Sequence, residues 1–156
     1  MPTLAQDPEK TRESLRAFVS DFPLLDCLGV TLTLKQGDNG GRLDAIGAAQ
    51  NLRQFLNCLN RERYGKAFTR FGTRLRVIPM LECSSSGRLH YHLALESPVP
   101  NNSLQAESLI RREWIKTRFG HREIHVSHEI DDGWIRYITK MPDAGDGIDW
   151  MNFNRD

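Results

Sequence analysis

His90 and His92, separated by a single residue, are the strongest chemical signal in the chain. On a β-strand, side chains two apart share a face, so both imidazoles project together while Leu89, Tyr91, Leu93 and Leu95 take the opposite face. Two imidazoles side by side on a sheet are a candidate metal pair; two solvent-facing histidines without a role are the plainer alternative. Glu82 strengthens the pair. The segment Cys83-Ser84-Ser85-Ser86-Gly87 is short and turn-rich, and a hairpin centred on Ser86 pairs residues whose numbers sum to about 172. Glu82 then stands opposite His90 on the same face. Two imidazoles and one carboxylate leave positions open for water or a phosphate oxygen, which suits Mn²⁺, Mg²⁺ or an open Zn²⁺ site; a hard phosphate substrate favours the first two. His121, His125 and His128 lack comparable support and read as ordinary strand or edge histidines.

Tyr137 and Lys140 form a second signal. Three apart on a helix, they occupy neighbouring positions of one face, with Trp134 and Ile138 as apolar anchors. A tyrosine becomes a nucleophile when a nearby lysine or metal stabilises its ionised form. The alternative is an amphipathic helix with a surface Tyr and Lys. The third signal lies in residues 61–76, where Arg61, Arg63, Lys66, Arg70, Arg74 and Arg76 surround Tyr64, Phe68 and Phe71. Cations interleaved with aromatics suit single-stranded nucleic acid, whose bases stack and whose phosphates need counter-charge. A solvated linker with its aromatics packed inward is the alternative.

The elements that must position these residues follow from pattern and composition. With 156 residues, 39% hydrophobic and 26% charged, the chain has the makings of one folded domain. Its net charge of +1 excludes a wholesale basic coat but not a local patch. The cysteines, Cys27, Cys58 and Cys83, form neither a CxxC pair nor a ligand cluster, and read as reduced, partly buried thiols. No start resembling a signal peptide and no run of 18 apolar residues is present, so a soluble, cytoplasmic protein without membrane contact is expected, nuclear if its host is a eukaryotic virus.

Residues 1–27 read as an N-terminal helical extension: a helix opened by Pro8-Glu9-Lys10, carrying Leu15, Phe18 and Val19, and ended by Pro23. Alternation predicts a strand over 28–35, and apolar spacing of three and four predicts a helix over 44–60. Two further strands span 74–82 and 88–96. A helix starts at Asn102, with Gln105 completing a capping-box pattern, and runs to about residue 118. A fourth strand over 123–130 and a short helix over 133–140 follow, and residues 142–156 form an acidic tail. Strand, helix, strand, strand, helix, strand is the split βαβ order of an α+β, ferredoxin-like fold. Its antiparallel sheet carries helices on one face and leaves the metal site on the open one, within a core domain of residues 28–141.

With these motifs in order, the chain resembles the HUH single-strand endonucleases, in particular the single-tyrosine replication-initiator (Rep) nuclease domains of rolling-circle replicons. Val30-Thr31-Leu32-Thr33-Leu34 is similar to the family's first motif, Gly87-Arg88-Leu89-His90-Tyr91-His92-Leu93 to its metal motif, and Tyr137-Ile138-Thr139-Lys140 to its Tyr-x-x-Lys motif. The resemblance implies Glu82, His90 and His92 as ligands of Mn²⁺ or Mg²⁺, with Glu82 in the family's place for the carboxylate. It implies Tyr137 as the nucleophile, leaving a 5′-phosphotyrosine, and Lys140 as its helper. Single-stranded DNA, an origin hairpin and a replicative helicase are the partners it suggests. There is no Gly-x-x-x-x-Gly-Lys-Ser/Thr loop, so a nuclease alone or a fragment is expected. A single-tyrosine transposase is the nearest alternative, against which Lys140 argues, since the transposases' closing motif usually has a glutamine after the tyrosine. A non-catalytic nucleic-acid-binding module and a protein with a metal-stabilised sheet are the others.

Overall fold

The computed structural model describes residues 9–10, 13–14, 16–17, 21–139 and 147–156. Four strands carry the fold: β1 (Cys27–Leu34), β4 (Val77–Cys83), β5 (Leu89–Glu96) and β6 (Gly120–Ser127). They form an antiparallel sheet in the order β4-β5-β1-β6. A small hairpin, β2 (Gly37–Asp38) with β3 (Gly41–Arg42), follows β1. The helices are α1 (Ala45–Tyr64), α2 (Lys66–Phe71), α3 (Ser103–Lys116) and α4 (Asp132–Thr139). The order and the antiparallel sheet are those of the ferredoxin-like split βαβ fold.

Period-two alternation decides which residues meet the helices. Val30, Leu32, Leu34, Tyr91, Leu93 and Leu95 point to one face and are buried beneath Leu52, Phe55 and Leu59 of α1 and Ala106, Ile110 and Trp114 of α3. Phe55 and Trp114 meet edge to face at 5.2 Å, and the Trp114 indole donates to the Thr33 carbonyl at 2.9 Å, tying α3 to the sheet. Asp44 caps α1 by accepting from Gly47 N at 2.7 Å. Asn102 caps α3 by accepting from Gln105 N at 3.0 Å, and its amide donates to the Gln105 side chain.

The opposite face is open over only part of its area. A second cluster of Phe22, Cys27, Ile78, Met80, Ala94, Ile135 and Ile148 covers one end, with Trp134 and Ile130 against it. The chain after residue 147 runs along the outer edge of β4. Val77 and Asn154 exchange backbone hydrogen bonds, and Asp149 N donates to the Pro79 carbonyl at 2.9 Å. Pro79 has no N–H to offer a ladder, so it suits this outermost strand.

Several boundaries differ from the sequence expectation. The helix expected over 44–60 continues to Tyr64, and the linker read beyond it contains α2. Apolar periodicity stops at Leu59 because the last turn of α1 is held by polar contacts instead: Asn60 Oδ1 accepts from Leu75 N at 2.7 Å, and the Tyr64 hydroxyl donates to Glu96 at 3.0 Å. The fourth strand is Gly120–Ser127 rather than 123–130. Its first residue must be glycine, since a Cβ there would lie 1.9 Å from the Trp114 carbonyl oxygen. Beyond Ser127 the chain leaves the sheet, and Ile130 folds over Gly29. Among the thiols, Cys27 is buried, Cys58 half-buried and Cys83 exposed, and all three are free. Burial pushes the Cys27 thiol up to about 11, which makes it an inert core group at neutral pH. Among the described residues, no helix is long and apolar enough to cross a membrane.

Candidate metal centre and its tyrosine

The β4–β5 hairpin pairs Glu82 with His90 and Met80 with His92. Register therefore puts Glu82, His90 and His92 on one face. Glu82 Oε2 lies 2.5 Å from His90 Nε2 and 2.8 Å from His92 Nε2. The two rings stand edge to face at 4.9 Å. One ligand atom from each of the three residues lies within 4.8 Å of the others. Adjacent donors around an ion bound at about 2.0–2.1 Å sit about 3 Å apart, so this donor set fits a small divalent cation.

His92 is the buried member, with a side chain 7% exposed against 21% for His90. Burial is the main cause that holds its imidazole below the usual histidine range; the neighbouring His90 acts in the same direction and the Glu82 hydrogen bond opposes it. A neutral ring keeps a lone pair for a metal. Thr31, opposite His92 on β1, meets His92 Nδ1 through its hydroxyl at 3.1 Å. A proton on Nδ1 given to Thr31 leaves Nε2 as the ligand atom. Strand alternation alone puts Thr31 on the face opposite Val30 and Leu32, and only the β1–β5 register supplies its partner. Replacing Thr31 by Val keeps the shape and removes the hydroxyl. The expected result is about 10–100-fold weaker Mn²⁺ binding by titration calorimetry. Unchanged affinity would show that Thr31 does not orient the ring.

Helix α4 brings the tyrosine. The Trp134 indole donates to the Leu93 carbonyl at 3.0 Å and anchors the helix on β5. Tyr137 stacks on Trp134 at 5.6 Å with a 30° tilt, and its ring meets His92 edge to face at 5.9 Å. Tyr137 remains 55% exposed, open to a ligand lying on the sheet. Gly29 makes this docking fit, since a Cβ there would come within 2.8 Å of Ile130 and 3.0 Å of Trp134. Gly29→Val should lift Trp134 and α4 at a cost of about 1–3 kcal/mol. The measurement is thermal unfolding together with Trp fluorescence, and an unchanged emission spectrum would refute the docking argument. Lys140 lies outside the described residues, as do Leu15, Phe18 and Val19, for which the sequence predicts an N-terminal helix.

The basic stretch stands elsewhere. Arg61, Arg63 and Tyr64 lie in the last turn of α1, Lys66 and Arg70 on α2, and Arg74 and Arg76 just before β4. This is the end of the sheet where Val77 pairs with Leu95 and Cys27 with Glu96, five residues of β4 and so about 17 Å from Glu82. Some of these groups serve the fold. Tyr64 is partly buried against the core and bonded to Glu96. Arg76 pairs with Glu96 at 3.5 Å and donates to the carbonyls of Pro23 and Leu25. Arg63 lies over the Tyr64 ring, and Arg61 and Arg74 lie over Phe68. Arg61, Lys66, Arg70 and Arg74 are exposed. The structure thus separates this patch from the Glu82–His90–His92 cluster.

Other cations stand closer to the cluster. Arg88 and Lys35 are exposed and continue the two-residue period of His90 and Thr33. Strand parity alone was the signal that could have found them. His121 bonds Thr33 at 3.2 Å, His128 bonds Glu107 at 2.5 Å, and His125 is exposed on β6 opposite Thr31.

The family model for the replication-associated protein ORF2/G2P matches residues 27–142. The chain belongs to this family. No curated protein and no solved structure matches it. The matched span runs from the first residue of β1 through α4, so it takes in the sheet, the cluster and Tyr137. Membership in a replication-associated family implies an interaction with DNA.

Proposed function

We propose that the chain is an HUH single-tyrosine endonuclease that nicks and rejoins single-stranded DNA to initiate rolling-circle replication. The observation that carries this reading is the Tyr137 ring against His92, which sets an exposed phenol on the same sheet face as Glu82 and His90. Family membership supports a replication role. Glu82, His90 and His92 would hold Mn²⁺ or Mg²⁺, which supplies Lewis-acid polarisation of a phosphate oxygen when bound. Tyr137 Oη attacks the phosphorus as the bond to the 3′-oxygen breaks. The phenol gives up its proton to solvent, and the leaving 3′-oxygen takes one to become a free 3′-OH. The 5′ end stays on Tyr137 as a phosphodiester, so its energy is retained and the reverse step can rejoin strands without ATP. Lys140 would assist Tyr137. Arg61, Arg63, Tyr64, Lys66, Arg70, Arg74 and Arg76 would contact DNA away from the scissile phosphate, with Tyr64 and Arg76 acting there mainly through the fold.

The test is a denaturing protein gel after mixing the chain with a labelled, randomised single-stranded DNA pool, with Mn²⁺ or with EDTA. A labelled band at protein mass only with metal is the expected result. Binding to the pool without such a band would instead favour a non-catalytic module.

A further inference from the structure

We propose that a cleft between the β2–β3 hairpin and the start of α1 takes up one purine of the substrate strand, and so sets sequence preference at a nucleotide away from the cleaved phosphate. This rests on the reading above, that the chain handles a DNA strand. The cleft has a volume of about 360 Å³, within the range of small-ligand sites. Asp38, Arg42, Gln50, Gln54, Arg118 and Phe119 line it.

Its chemistry suits a base better than a phosphate. Arg118 is held by Asp38 at 2.6 Å and lies over the Phe119 ring at 4.7 Å, so its charge is already matched. The same ion pair holds the Asp38 carboxyl below the usual carboxylate range, keeping an anion at the rim that repels phosphate. Gln50 and Gln54 stand one turn apart on the exposed side of α1, and their side-chain amides have no partner among the described residues. An amide offers a donor and an acceptor side by side, the pair that reads the N6 and N7 edge of adenine. A stacked guanidinium and aromatic ring give a base a flat surface.

The fold ties this cleft to the metal cluster. Gln36, just before β2, exchanges side-chain hydrogen bonds with both backbone groups of Leu89, at 2.7 and 2.9 Å, next to His90. Its own carbonyl accepts from Leu43 N at 2.8 Å, which closes the hairpin loop. Arg42 reaches the Gly87 carbonyl in the β4–β5 turn at 3.4 Å. Asn51 fixes the floor, donating to Thr117 at 3.0 Å and accepting from Phe119 N at 3.0 Å. These bonds join the hairpin that walls the cleft to the strand that carries His90.

The experiment compares the wild type with the double variant Gln50→Ala, Gln54→Ala. Each binds a randomised single-stranded DNA pool in EDTA, and the retained strands are sequenced. The wild type should enrich a motif with one purine position, and the variant should lose about tenfold preference at that position alone, keeping the rest. A wild-type motif without a purine position, or a variant that keeps it, overturns the cleft's assignment. The covalent band with Mn²⁺ is scored separately on both proteins. Its loss in the wild type counts against the nuclease, whereas the pool decides the cleft.

Discussion

Tyr137→Phe will bind single-stranded DNA with nearly wild-type affinity and form no covalent product. The substitution removes one oxygen and leaves the ring that packs on Trp134 and His92. Both contacts are made by the aromatic faces and edges, so α4 should stay docked and thermal unfolding should be unchanged. Chemistry is a different matter. Without the phenol there is no nucleophile to form the bond to phosphorus, and the expected loss of nicking is at least about 10³-fold. Adduct yield by gel and affinity by fluorescence anisotropy separate the two effects. Equal loss of binding and cleavage would show that Tyr137 is part of the binding surface rather than the attacking group.

The second large effect concerns the cluster. His92→Ala should remove metal-dependent nicking by roughly 10²–10³-fold, the scale of several kcal/mol of charge stabilisation. His92 is buried, so its truncation also leaves a small void beneath Trp134. Glu82→Gln provides the control, because it keeps volume and sits half-exposed at the hairpin end. A neutral amide is a poor partner for a hard divalent ion, so the same loss is expected with the fold intact by circular dichroism. Full-rate nicking by Glu82→Gln, or retained Mn²⁺ binding by calorimetry, would exclude the cluster as the metal centre. Both outcomes are independent of Tyr137, because the ligands belong to the β4–β5 hairpin and the phenol to α4.

Much of the site could be read from residues close together in the chain. Strand alternation separates His90 and His92 from Leu89, Tyr91 and Leu93, and the five-residue turn fixes the pairing of Glu82 with His90. Both depend on short-range geometry: a two-residue pleat and a hairpin whose length sets register. The capping pattern at Asn102 was legible for the same reason. The basic stretch was harder. Its composition is plain, but α1 carries it to the far end of the sheet, and Tyr64 and Arg76 are drawn into bonds with Glu96, 32 residues beyond Tyr64 in the first case. The limits of β6 were misplaced because Gly120 is chosen by the nearby Trp114 carbonyl rather than by strand propensity.

The sequence by itself determined the order of strands and helices, the faces on which the histidines and carboxylate lie, and the presence of a tyrosine downstream on a short amphipathic helix. Tertiary structure alone decided where that helix lands. It docks because Gly29, more than a hundred residues before Trp134, leaves a hollow in the sheet that the indole and Ile130 fill. It decided Thr31 as the partner of His92, through a β1–β5 register closed across some sixty residues. It also placed the Gln36 clamp that sets the β2–β3 hairpin beside His90. Local pattern encodes which way a side chain points along its own strand. Which surface it then meets depends on packing between segments distant in the chain, where shape complementarity rather than period makes the choice.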